Sequence, residues 1–181
     1  MVIAPACTSA LWAQGCPASA DVSAELDTLF AQAREAQDFR AGQAASNAMW
    51  EVWLRAPDEA AQAVLARGMA ARGSYDFKGA YEAFTRLTEY CPDYAEGWNQ
   101  RAYISFLREE YAQALVDLDR ALVLQPRHVA AQSGRALTLM NMGRTAEARR
   151  QMLAAVANNP WLSEKALLAK GASLGPVGDD L

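Results

Sequence analysis

The chain is short of the residues on which most enzyme chemistry depends. It has one histidine, His128, and three cysteines, Cys7, Cys16 and Cys91. A single imidazole with no acidic or thiol cluster around it is a poor metal ligand set. No G-x-S-x-G nucleophile pattern accompanies it, so no triad can be assembled around it. His128 lies two residues after Pro126 and reads as a solvated turn residue. Glycine-rich phosphate loops, Cys-x-x-Cys pairs and His-Glu-x-x-His are absent. The paired carboxylates Glu109-Glu110 and Asp179-Asp180 fall in a turn and a tail, where nothing desolvates them for acid–base work. No catalytic residue, metal or cofactor is expected, and the chain reads as non-enzymatic.

Positive charge is scarce too. Lys78, Lys165 and Lys170 are the only lysines, and 17 basic residues face 21 acidic ones for a net charge of −4. The basic residues form no dense block. That distribution fits neither a nucleic-acid partner nor an anionic membrane surface. No apolar run approaches the roughly 18–20 residues that span a bilayer, so no transmembrane segment is expected. With 52% hydrophobic residues in 181, one sizeable core is within reach.

What the sequence does have is a period. Pro92, Pro126 and Pro160 are 34 residues apart, and Pro57 precedes Pro92 by 35. Other positions keep that register. Gly68, Ala102 and Ala136 are small. So are Ala80, Ala114 and Ala148, and four residues later come Phe84, Leu118 and Met152, followed by Leu87, Ala121 and Ala155. Small residues on two helices allow close approach, and a larger apolar residue fills the space beside them. Gly73-Ser74-Tyr75-Asp76, Arg108-Glu109-Glu110 and Met142-Gly143-Arg144 supply turn chemistry between the helices. Each proline ends the second helix of its unit.

This pattern resembles the tetratricopeptide repeat, a 34-residue helix–turn–helix unit with Trp, Leu-Gly, Tyr, Ala, Phe and Pro at set offsets. The best copy is Trp98, Ala102, Tyr111, Ala114, Leu118, Ala121, Pro126. The resemblance implies an all-α, right-handed solenoid with hairpins at about 61–92, 95–126 and 129–160. A degenerate hairpin at about 22–57 is carried by the stripe Leu26, Leu29, Phe30, Ala33 and by Ala45, Met49, Trp50, Val52 and Trp53. A capping helix within 162–170 closes the far end of a helical domain spanning 21–170, and 171–181 reads as a disordered tail.

Residues 1–20 lie outside the repeats. They are small, apolar and uncharged, which suits the end of a secretory signal peptide cleaved after Ala13 or Ala20. A disordered tail on a cytoplasmic chain is the other reading. Export, to the periplasm or the medium, would make this a bacterial exported repeat protein. Cleavage after Ala13 leaves Cys16 and Cys91, an even pair that suggests one disulfide in an oxidising compartment. Two unrelated thiols are the alternative.

Arg67, Arg101 and Arg135 repeat at 34-residue spacing just before the small residue of each first helix. A half-buried arginine needs a partner or an exit for its head group. Asp117, on the second helix beside Leu118, is the expected partner of Arg101, as in many repeats of this kind. An arginine ladder that binds an anion is the functional alternative.

The resemblance also places a concave groove along the first helices. Its candidate partner-binding residues are Met69, Arg72, Asn99, Tyr103, Phe106, Leu137, Met140 and Asn141, with Glu96 and Leu107 at related positions. An apolar and aromatic groove suits a protein partner that offers a peptide or helix. The carboxylate clamp of some family members is disfavoured, because only Asn99 matches it and Leu65, Met69, Ser133 and Leu137 stand where charged or amide groups are wanted. The expected function is a protein–protein interaction scaffold or assembly adaptor. A cytoplasmic adaptor or self-association module forming a homo-oligomer is the alternative.

Overall fold

A computed structural model of the protein describes residues 15–176. All its regular structure is helical: α1 (Ser23–Glu35), α2 (Phe39–Trp53), α3 (Glu59–Gly73), α4 (Phe77–Tyr90), α5 (Ala95–Leu107), α6 (Tyr111–Leu124), α7 (Val129–Asn141) and α8 (Thr145–Asn158), then a 3-10 helix, Ser163–Leu168. Consecutive helices pair as four antiparallel hairpins. Asp38, Asp58 and Asp76 start α2, α3 and α4, each carboxylate accepting a backbone N–H of the first turn. The tight turns inside the last three hairpins place Tyr75, Glu109 and Gly143 in the left-handed region, at φ 62°, 60° and 74°.

Hairpins two to four form the solenoid. Ala80, Ala102, Ala114, Ala136 and Ala148 are fully buried, as are Phe84 and Met152. The small-to-large trade within each unit is visible. A Cβ on Gly68 would lie 2.4 Å from the Phe84 ring. The next two units keep alanine there because Leu118 and Met152 intrude less than a phenyl ring. Adjacent units join through α4 against α5 and α6 against α7.

Arg101 ties the first of these seams. Its Nε and Nη2 donate to the two oxygens of Asp117 at 2.8 and 2.7 Å, and its Nη1 donates to Thr88 Oγ1 on α4 at 3.0 Å. Asp117 is fully buried, and the Arg101 guanidinium lies 4.8 Å from the centre of the Trp98 ring. The Asp117 carboxylate raises the already high pKa of Arg101. In the next unit Arg135 donates to Asp119 at 2.6 Å and to Gln151 at 3.2 Å, on the more exposed side of the seam.

The first hairpin does not extend the stack. α2 makes no seam with α3 like those between the later units. Instead it crosses the loops between units in reverse order, with α1 beside it and also in contact with α8. Its start lies by Trp161, where Gly42 leaves room for the indole and Trp161 Nε1 donates to the Ala33 carbonyl at 2.8 Å. Its middle meets the last unit through Asn159 Nδ2 donating to Ser46 Oγ at 2.8 Å. Its end places the Trp53 ring on His128 at 4.2 Å and offers the Trp53 carbonyl to the Tyr94 hydroxyl at 2.7 Å. Burial raises the Tyr94 pKa well above the phenol range, so the hydroxyl remains a donor. Arg127 pairs with Asp27 on α1 and covers Phe30.

Both ends of the described chain are fixed more firmly than composition suggests. Residues 15–20 are not a loose tail: Cys16 is disulfide-bonded to Cys91, which holds this segment against the end of α4. Residues 171–176 are not disordered either. Leu174 is fully buried against Leu139 and Met152, and its carbonyl accepts from Arg149 Nη1. An apolar side chain inside a glycine-rich sequence is enough to dock it. Residues 1–14, including Cys7 and the Ala13 cleavage position, and residues 177–181 lie outside the described residues.

Two stability predictions follow from these ties. Arg101→Leu strands a buried carboxylate and should cost about 3–5 kcal/mol in urea unfolding, most of it recovered in Arg101→Leu/Asp117→Leu. A double variant as unstable as the single one would show that the charge pair is not the cause. The disulfide spans a sequence separation of 75 residues. Cys16→Ser should lower stability by about 2–4 kcal/mol under non-reducing conditions and have no effect under reducing ones.

Candidate functional site

The concave face begins with a buried carboxylate. Glu96 stands in the first turn of α5, where the helix dipole favours negative charge. It is not groove-exposed, as its position in the repeat suggests, but 1% accessible. Asn99 Nδ2 donates to Oε2 at 3.0 Å, and Gln100 Nε2 donates to Oε1. His128 Nδ1 accepts the Ala131 N–H at 3.3 Å, which puts the imidazole hydrogen on Nε2, 2.9 Å from Glu96 Oε2. His128 is therefore a buried helix cap and carboxylate partner rather than a solvated turn residue. The sequence hides this because Trp53, which covers the ring, comes from outside the repeats.

Gln100 passes this network outward. Its Oε1 accepts from Arg72 Nη1 at 2.7 Å, and the Arg72 guanidinium sits 5.4 Å from the centre of the Tyr103 ring. Here the face opens into a cleft of about 430 Å³ lined by Arg72, Asn99, Gln100 and Tyr103, together with Trp50, Tyr75, Phe77 and Leu107. Arg72 is the only charged residue in that lining. A smaller, mainly apolar pocket of about 50 Å³ lies beside it. Asn99, Tyr103, Phe106 and Leu137 are in its wall.

The expected groove residues are thus only partly brought together. Arg72, Asn99 and Tyr103 share the larger cleft, and Asn99, Tyr103, Phe106 and Leu137 the smaller. Asn99 is 6% accessible and spends its amide hydrogen on Glu96. Met69 packs into the core of the second hairpin and Met140 into that of the fourth. Asn141 is exposed and donates back to the Leu137 carbonyl of its own helix at 2.9 Å. None of these last three lines either cleft. Repeat register assigns all first helices the same face, whereas Met69 and Met140 turn into the cores of their own hairpins and Asn141 bonds back to its own helix. Trp50, Tyr75 and Phe77 were not foreseen as site residues. The signal available was the concentration of aromatic residues at Trp50, Trp53, Tyr75 and Phe77, which a reading confined to first helices passes over.

Among the described residues, no group of three acidic, cysteine or histidine side chains could hold a metal ion. No helix among them is long and apolar enough to cross a membrane.

Comparison with known proteins places these features in context. No family model matches the chain. A TPR repeat-containing protein of Rhizobium etli is 44% identical over 52 residues, 29% of this chain and 26% of that protein. The tetratricopeptide repeat protein 36 homolog of Nematostella vectensis is 39% identical over 56 residues, 31% of each chain. The chain thus spans about a quarter to a third of the length of the curated relatives it matches. Among solved structures, the first TPR of Spaghetti (RPAP3) bound to the HSP90 peptide SRMEEVD superposes with a TM-score of 0.57 at 19% identity, covering 59% of this chain and 84% of that one. The Sgt2 TPR domain of Aspergillus fumigatus gives 0.54 at 18%, covering 68% and 89%. The sequence relatives support a tetratricopeptide repeat relationship, and the solved structures establish the fold.

The buried network makes one prediction. Glu96→Leu removes the shared acceptor of Asn99, Gln100 and His128 and should destabilise the protein by about 3–5 kcal/mol. Hydrogen exchange should accelerate in α1 and α2 together with α7. A loss below about 1 kcal/mol would mean that the three donors find other partners.

Proposed function

We propose that the protein is a non-enzymatic interaction scaffold that binds a peptide segment of a partner protein on its concave face. The observation that carries this reading is the open cleft at Tyr103. It combines aromatic walls, one guanidinium and a half-exposed tyrosine ring on a rigid helical support. Exposed aromatic residues around a concavity are the usual anchors of protein recognition. The solved neighbours whose names include an HSP90 peptide or a pHsp70 complex lend support to peptide binding as a use of this fold. They do not suggest the same ligand, since the positions of a carboxylate clamp carry Leu65, Met69, Ser133 and Leu137 here.

We place the protein in an oxidising compartment, periplasmic or secreted. The Cys16–Cys91 disulfide supports this, because such bonds persist where thiols are not kept reduced.

Both parts can be tested in one experiment. The tagged full chain is expressed in its native cells, cross-linked, and recovered from periplasm, medium and cytoplasm. Discrete adducts are expected in an exported fraction, and Tyr103→Ala/Phe106→Ala should lose them while keeping its helical circular dichroism. Identical adducts with the double variant would overturn the concave-face reading. Recovery from the cytoplasm alone would overturn export.

A further inference from the structure

We infer that the cleft binds an extended, proline-rich segment that carries an acidic residue. The inference rests on the concave face being a peptide site, and goes on to name the class of peptide.

Hydrogen bonding within the ligand weighs first between a helix and an extended chain. An α-helix with side chains is 10–12 Å across and rises 5.4 Å per turn, so one turn occupies roughly 400–600 Å³. The cleft, at about 430 Å³, has room for about one such turn. Trp50 of α2 stands at its border. One helical turn has no favourable hydrogen-bonded length of its own. A polyproline II segment needs no internal hydrogen bonds, and three residues extend only about 9 Å.

The lining then decides among extended chains. The rings of Trp50, Tyr75, Phe77 and Tyr103 supply flat apolar surface, with Tyr75 and Phe77 edge to face at 6.1 Å. Aromatic-lined grooves suit proline rings on a preformed backbone that has little conformational entropy left to lose. Proline-rich chains also carry carbonyl acceptors and few N–H donors. Arg72 offers guanidinium hydrogens beyond the one given to Gln100, and it is the cleft's single charge on a chain of net charge −4. An acidic residue in the segment complements it.

Tyr75 is the independent observation. It occupies a left-handed backbone position, φ 62°, where the third hairpin has Glu109 and the fourth Gly143, and the residue is 81% accessible. A side chain at this φ carries strain, as Glu109 does in the third hairpin, and the ring's one aromatic neighbour is Phe77. Its place at the rim of the cleft gives that ring a use.

The test measures fluorescence anisotropy of the full chain with three labelled probes of equal length. Each carries one central glutamate, in a proline, a glycine–serine or an alanine-rich helical background. The proline probe should bind at least tenfold tighter than the others. Tyr75→Gly and Tyr103→Ala should each weaken it about tenfold, while Tyr75→Gly leaves the melting temperature unchanged or higher. Replacing the probe's glutamate by glutamine should weaken binding to the wild type but not to Arg72→Gln. Equal binding of the glycine–serine probe, or full binding by Tyr75→Gly, overturns the proposal. Tighter, Tyr103-dependent binding of the helical probe also overturns it but leaves the concave-face reading standing. If none of the three probes binds in a Tyr103-dependent way, the proline assignment is overturned, and the concave face is then judged by the cross-linking result alone.

Discussion

Among the described residues, four helices are linked through Glu96 and its direct partners. Glu96 lies on α5 and accepts from Asn99 and Gln100 one turn further along. His128 brings α7 to it, and Trp53 lays α2 on the imidazole. Arg72 reaches from α3 to the same Gln100. An ion removed from water is costly unless its lone pairs are filled, and here neutral donors fill them with a guanidinium one side chain away. The arrangement specifies one geometry. A shift of α2 uncovers His128, and a shift of α7 leaves Glu96 short of a donor.

That constraint explains why the first hairpin leaves the repeat stack. Trp53 of α2 is buried with Val129 beside the loops between units, and Trp50, Trp161 and Leu162 pack against the same cluster. Trp53 covers a polar network that would otherwise meet water, and Trp161 finds a groove at Gly42 with an acceptor for its N–H at Ala33. The small residue of α2 thus serves a contact 119 residues away in sequence, not a seam with the next helix. The disulfide acts at the same edge. Cys91 follows α4, so the covalent tie holds the N-terminal segment beside the loops that α2 spans.

How much of this was legible depended on how local its cause was. The three stacked hairpins could be read because their small and large residues repeat every 34 positions, each answering a partner inside its own unit. The Arg101–Asp117 contact joins helices of a single hairpin and could be reasoned from the same register. The pairing of Cys16 with Cys91 rested on cysteine arithmetic and compartment, not on any spatial argument. His128 could not be read correctly, since its burial depends on Trp53 from a hairpin with no repeat register. Of the expected groove residues, Met69 and Met140 pack within their own hairpins, a direction that repeat position alone does not reveal.

The network also sets how the cleft can respond to a ligand. Arg72 is held by Gln100, whose other end is held by Glu96, which also holds His128 under Trp53. An acidic group that draws Arg72 outward must either share it with Gln100 or free the Gln100 oxygen. Sharing is favoured, because a guanidinium has donors for both, and freeing the amide oxygen would loosen its grip on Glu96 at the opposite end. A ligand that engages Arg72 without displacing it leaves the four-helix junction intact. The cleft is therefore preorganised, and under the proposed binding the choice of ligand falls to the exposed rings of Tyr75 and Tyr103, the groups the junction does not use.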